Sequence, residues 1–214
     1  MARRPLDITS RERLLRAGLA LARRGGVRRL TVRAVAAAAE VNLGSFVYHF
    51  GTRDTFLDEL IERWYAPLAS ELALAAAADG DALAHLREAL QSLVRWLVKN
   101  REFVGHLMLD AAAGEAAAQR FLRSLDRRHP AVLLQLIGKA QQQRRLRAAD
   151  PVHTLLFLMS TLAAPVMFFH LVGQQGIAPP QLLKALAQFT TDAAAIETRL
   201  DWALRGLAPE GERR

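Results

Sequence analysis

Residues 31–50, TVRAVAAAAEVNLGSFVYHF, hold two short helical patterns on either side of a break of three or four residues, the outline of a helix-turn-helix. The Thr31 hydroxyl suits an N-cap, and Val32, Val35, Ala36 and Ala39 then recur at helical spacing as an apolar stripe. After a turn at Glu40-Val41, Asn42 offers a second N-cap, and Phe46 and Phe50 fall one turn apart on a face that should be core. Gly44, Ser45, Val47, Tyr48 and His49 point elsewhere, and several of them are able to meet phosphate or base edges.

Working outward, Thr9 or Ser10 caps a first helix whose buried side is Leu14, Leu15, Gly18, Leu21 and Ala22, and Gly25-Gly26 ends it. Thr52 caps a fourth helix carrying Phe56, Leu57, Leu60, Ile61 and Trp64, and Pro67 is expected to interrupt it. Asp81 opens a helix reaching Lys99 that Asn100 ends, a short segment covers 102–110, and a helix covers 115–125. His129-Pro130 opens the next helix, which gives way to the polar run QQQRRLR. Two last helices are expected. The first lies in a stretch, Pro151 to Leu183, without Asp, Glu, Lys or Arg, and its segment LLFLMSTLAAPVMFFHLV is apolar nearly all round; the second, 181–205, is amphipathic with Leu182, Leu186, Phe189 and Ile196. An all-α chain follows, with no stretch of β-branched residues at period two. A run so apolar must be covered, and a second subunit on residues 151–205 suits it better than a membrane, given Pro165 and His170. Residues 1–7 read as a basic arm, 176–180 as a loop and 209–214 as a disordered tail.

The net charge of +8 is unevenly spread: residues 1–55 hold eleven arginines against Asp7, Glu12, Glu40 and Asp54, so this quarter of the 214 residues carries +7. Positive charge concentrated beside a helix-turn-helix is the footprint of duplex DNA, whose phosphates release counterions on neutralisation. With no cysteine there is no disulfide, thiolate zinc site or cysteine nucleophile, and the absence of an apolar leader in MARRPLDITS points to the cytoplasm. No P-loop, dinucleotide turn or nucleophile elbow occurs, so no cofactor and no catalytic residue is expected. His106 with Asp110, or His85 with Glu88, is spaced for a metal or an acid–base pair; His106/Asp110 reads better as a polar anchor for a ligand, and no metal site is expected.

The run from Arg11 to Ile61 resembles the tetracycline-repressor family of bacterial transcription regulators: a first helix ending at Gly, a Thr-capped second helix, VNLGSFVYHF as the third, and an Arg-acid pair opening the fourth. The resemblance implies a three-helix DNA-binding domain over 1–52 and a larger helical-bundle ligand-binding and dimerisation domain over 53–208, of about nine helices. It implies that Arg33, Ser45, Val47 and Tyr48 face the major groove while Thr31, Gly44, His49 and Arg53 meet sugar–phosphate; His49 serves equally as a structural cap on its helix end. It further implies a homodimer through residues 151–205, a palindromic double-stranded DNA operator and a small-molecule effector. The residues suited to line its cavity are Trp64, Trp96, Phe103, His106, Met108, Asp110, Phe121 and Met167. Glu40 stands where the family has a left-handed Gly, Leu43 where it is often basic, and Val47 where it often has Tyr. These departures make the operator preference this chain's own, and leave open a helical interaction protein that kept the fold without specific DNA binding.

Overall fold

The computed structural model describes residues 9–175 and 178–209, so the expectations for the basic arm, for positions 176–177 of the loop and for the tail beyond 209 lie outside the described residues. Eleven α-helices and one 3-10 turn account for the described chain, and no strand occurs among the described residues. In order they are α1 (Ser10–Gly25), α2 (Val32–Ala38), α3 (Leu43–Phe50), α4 (Arg53–Ala77), α5 (Ala82–Ala112), α6 (Ala116–Arg123), the turn Leu125–Arg127, α7 (His129–Gln142), α8 (Pro151–Leu162), α9 (Ala164–Gln175), α10 (Pro180–Thr191) and α11 (Ala193–Gly206). The chain separates into two compact units, one of residues 1–65 and 102–123, the other of 66–101 and 124–214. The sequence places a boundary at residue 52; the structure keeps 53–65 with the first unit because Phe56, Leu57, Leu60 and Ile61 are each at most 1% exposed.

In the first unit the caps follow the sequence reading. Thr9 accepts from Glu12 N–H at 3.3 Å, Thr31 from Ala34 N–H at 3.2 Å, Asn42 from Ser45 N–H at 2.8 Å and Thr52 from Thr55 N–H at 3.1 Å, so each helix start has one orphan donor satisfied by a side chain. Phe46, Phe50 and Phe56 form an aromatic knot with ring centroids 4.9–5.4 Å apart, joining α3 to α4. Gly18 lets this knot approach α1: a Cβ there would come within 2.5 Å of Phe56 Cζ.

Two expected helix ends are not ends. α4 runs through Pro67, whose missing N–H costs one intrahelical bond, because Leu68 and Leu72 beyond it are buried in the second unit. α5 runs on past Asn100, whose side-chain amide donates to Trp96 O at 2.8 Å inside the helix instead of capping it.

In the second unit, the two expected final helices are four. Pro165 cannot donate to Thr161 O, and the helix breaks at Ala163 between α8 and α9. The buried Arg199 guanidinium fills the place of that donor, its Nη1 donating to Thr161 O at 3.1 Å while Phe189 stacks on it at 4.5 Å. The second break comes at Asp192, whose carboxylate accepts from Ala195 N–H at 2.9 Å and starts α11 afresh. Leu155, Leu158, Leu162 and Val166 face inward. Val152, Leu156, Phe157, Phe168, Leu171, Leu182 and Phe189 do not: each is between 42% and 60% exposed. The stretch Pro151–Gly173 is long and apolar enough by composition to cross a membrane, and only 22% of its apolar window is buried within this chain.

Burial holds the His129 imidazole, at the start of α7, down at about 4, with the Arg128 charge adding to the effect. The folded value lies below the ordinary 6.5, so between these limits the unfolded chain takes up a proton that the folded chain refuses. Stability is therefore complete above pH 6.5 and falls as pH drops toward 4. Urea unfolding at pH 7 and pH 5 should differ by about 2 kcal/mol through this group. His129→Gln should remove that share of the difference.

Candidate nucleic-acid interface

α1 packs on both α2 and α3, and α2 on α3, so the two short helices are held at a fixed angle by a longer one. α3 has only eight residues, fewer than an isolated helix needs in water, and its stability comes from burying Phe46 and Phe50 at 1% and 4% exposure. The opposite side is bare: Tyr48 is 85% exposed, Val47 55% and Leu43 46%. A large aromatic ring left in water on the face opposite a tight core is a surface in search of a partner.

Arg33 and Thr31 are exposed at the start of α2, and Gly44 and the half-buried Ser45 sit in the first turn of α3, where the backbone N–H groups of a helix lack intrahelical acceptors. Asn42 takes the Ser45 amide, so the amides just before it remain turned outward at the positive end of the helix dipole. The break between the helices turns on Glu40 at φ 51°, the left-handed conformation that a glycine would adopt without strain. Arg13 offsets the strain by donating to Glu40 O at 2.9 Å.

Two of the expected phosphate ligands are occupied within the protein. His49 Nε2 lies 2.8 Å from Ser10 Oγ, tying the end of α3 to the start of α1. Arg53 is engaged more thoroughly within the protein. Its Nε donates to Leu30 O at 2.7 Å, and its Nη2 to Val27 O at 2.9 Å, Arg28 O at 3.0 Å and Glu115 at 3.0 Å. Arg11, Arg13 and Arg16 also meet carboxylates, with Glu59, Glu40 and Glu12, so part of the positive charge counted in the sequence is neutralised before any partner arrives. Arg28, Arg29 and Arg33 remain exposed beside the two short helices.

The eight residues expected to line an effector cavity are divided between the two units. Trp64, Phe103 and Phe121 are buried in the first unit, with Trp64 4.3 Å from Phe103 and 6.1 Å from Phe121. Met108 belongs to the same unit but is 52% exposed, while Trp96 and Met167 belong to the other unit. Asp110 is not left over for a ligand beside His106: its Oδ2 accepts from Val27 N–H at 2.6 Å and Arg28 N–H at 3.0 Å. Two cavities of about 600 and 330 Å³ lie in the second unit, one along Gln141–Ala149 and one between Asp81–Arg87 and Leu204–Ala208, and none of the eight residues lines either. Among the described residues no group of three or more His, Asp or Glu is placed to hold a metal ion.

Residues 14–60 match the family model of the bacterial regulatory proteins, tetR family. No curated protein matches the chain. Among solved structures, the complex of SmeT with triclosan superposes with a TM-score of 0.69 at 21% identity, covering 94% of this chain and 93% of that one; SmeT is the repressor of a Stenotrophomonas maltophilia multidrug efflux pump. PfmR from Thermus thermophilus, a TetR-family transcriptional regulator, superposes at 0.66 with 20% identity over 93% and 97% of the two chains. The regulator FadR from Bacillus subtilis, in complex with stearoyl-CoA, does so at 0.67 with 12% identity over 91% and 98%. At such identities the superpositions speak for the fold, and the match over residues 14–60 speaks for the head. Residues 14–60, with the capped α2–α3 pair and its exposed face, are thus similar to the tetR family of bacterial regulatory proteins, and the chain as a whole has the fold of these regulators.

Proposed function

We propose that the protein is a dimeric, ligand-responsive transcriptional regulator, acting as a repressor, that reads a palindromic operator with one α3 helix per half-site. The observation that carries this is the division of α3 into a buried Phe46/Phe50 face and a bare Leu43/Val47/Tyr48 face. In this reading Arg33, Ser45, Val47 and Tyr48 enter the major groove, where an arginine pairs bidentately with guanine and a valine packs on a thymine methyl. Thr31 and the Gly44 amide meet phosphate. Leu43, where a basic residue would add a phosphate contact, contributes apolar area only. Operation on chromosomal DNA implies a cytoplasmic protein, and neither catalysis nor a cofactor enters the scheme.

The dimer is supported by α8 to α10. Val152 and Leu156 share one side of α8, Phe168 and Leu171 one side of α9, and Leu182 and Phe189 one side of α10. A one-sided apolar surface with His153 and Ser160 exposed within it suits a second copy better than lipid, which would favour an unbroken apolar exterior. For the effector, SmeT is seen with triclosan and FadR with stearoyl-CoA, which favours a largely apolar small molecule here too. The buried Trp64, Phe103 and Phe121 are the candidate contacts that lie together. Effector binding would favour a state in which the two heads no longer match the half-site spacing.

The test is to select bound fragments from a random duplex library and repeat the selection with Tyr48→Ala and Arg33→Ala. The wild type should enrich a palindrome with half-sites about 34–36 Å apart. Each variant should lose about 1–3 kcal/mol for that site. No enrichment by the wild type would favour instead a helical interaction protein, and equal enrichment by the variants would move the contacts to other residues.

A further inference from the structure

The turn between α1 and α2, residues 26–31, delivers Thr31 and Arg33 to the interface, and it is held from both sides by residues that lie outside the helix-turn-helix. On one side the Asp110 carboxylate, near the end of α5, takes the Val27 and Arg28 amides at 2.6 and 3.0 Å. On the other side Arg53 takes the carbonyls of Val27, Arg28 and Leu30 at 2.7–3.0 Å. Arg53 is itself held by Glu115, whose side chain is only 8% exposed and whose Oε2 lies 3.0 Å from Nη2. Asp110 and Glu115 are joined in turn by a backbone bond, Glu115 N–H to Asp110 O at 2.9 Å. Two amides and three carbonyls of the turn's backbone are therefore fixed by charge-assisted hydrogen bonds, which are shorter and stronger than neutral ones. Gly26 completes the arrangement: it sits at φ +80°, and a Cβ there would fall 2.4 Å from Asp110 Oδ2.

We propose that Asp110 and Glu115 are positioning residues for DNA recognition: through the amides of Val27 and Arg28 and through Arg53 they set the register of the turn that presents Thr31 and Arg33 to the duplex. The inference rests on the DNA-binding reading above. Neither carboxylate touches DNA; each acts through the backbone of the turn. A short link between two helices, free at its polar groups, would let α2 pivot on α1, and a contact to a base edge tolerates little such movement because a hydrogen bond weakens steeply outside about 2.7–3.2 Å. The same arrangement explains why a carboxylate is present at all beside a surface meant for a polyanion: Asp110 is turned inward on two N–H groups, and Glu115 is buried against a guanidinium.

The experiment uses the full chain and two probes, the duplex enriched by the wild type and a random-sequence duplex of equal length. Asp110→Asn and Gly26→Ala disturb the clamp from its two sides. Both should weaken binding to the enriched duplex about tenfold, as residues that couple to a site without touching its ligand do, and leave binding to the random duplex unchanged. In Asp110→Asn the Val27 and Arg28 amides should also exchange with solvent faster, which a residue serving only general stability would not single out. Should Asp110→Asn fail to fold, Glu115→Gln carries the same three readouts, the faster exchange then being sought at the turn as a whole. Unchanged affinity for the enriched duplex, or equal loss on both duplexes, overturns the proposal while leaving the DNA-binding reading in place. A wild type that enriches no duplex overturns both.

Discussion

Phe46→Ala is expected to lower the stability of the head by about 4 kcal/mol, the range found when a fully buried phenylalanine is truncated and the site cannot collapse. Phe46 is 1% exposed, and its ring lies 5.4 Å from Phe50 and 5.0 Å from Phe56, so its removal leaves a hole bounded by α1, α3 and α4. Because marginal domains hold only about 5–15 kcal/mol in total, α3 should come loose well before the rest of the chain unfolds. Urea unfolding followed by hydrogen exchange at the α3 amides measures this. Val47→Ala, one residue along on the 55% exposed face, should stay within about 0.5 kcal/mol of the wild type. If the two variants are equally destabilised, α3 is not divided into a core face and a free face, and the reading of the interface loses its foundation.

The second large effect is expected at the apolar side of α8 and α9. Leu156→Asp combined with Phe168→Asp should turn a dimer into a monomer in sedimentation, since each charge would be buried unpaired at the contact. Both positions are more than half exposed within a single chain, so the folded monomer should survive. Binding to a two-half-site operator should then fall by about 10²- to 10⁴-fold, the share that simultaneous engagement of two heads contributes, while affinity for an isolated half-site stays unchanged. A double variant that remains dimeric would place the interface elsewhere on the chain.

The sequence reading was most complete where the determining interactions are local. N-caps at Thr9, Thr31, Asn42 and Thr52 each act over two or three residues, and the Phe46/Phe50 spacing depends on helical geometry alone. Pro67 and Asn100 were read as stops and are not, while Pro165 was not read as one and is. Pro67 does not end α4, because burial on either side outweighs one lost bond, yet Pro165 does break the α8–α9 rod, where a buried arginine stands ready to take up the orphaned carbonyl. The local signal is the same in the two cases. The tertiary surroundings differ.

The same limit applies to Asp110, Glu115 and Arg53. Asp110 four residues after His106 suggested a ligand anchor, and the family resemblance implied a phosphate contact for Arg53. Their partners lie more than twenty residues away and in two cases over sixty, and no spacing rule announces such a bond.

For residues 31–50 the amino-acid sequence by itself determined the two helices, their caps, the buried aromatic pair and the basic neighbourhood, because all of these follow from side-chain chemistry at fixed helical spacing. The tertiary structure alone decided what the charges do. It turned Arg53 and His49 inward, left Arg33 and Tyr48 outward, and brought Asp110 and Glu115 from a distant helix junction onto the turn that aims the head. A charge on a sequence has only a sign; whether it meets a phosphate or a backbone carbonyl depends on which group the fold brings within about 3 Å of it.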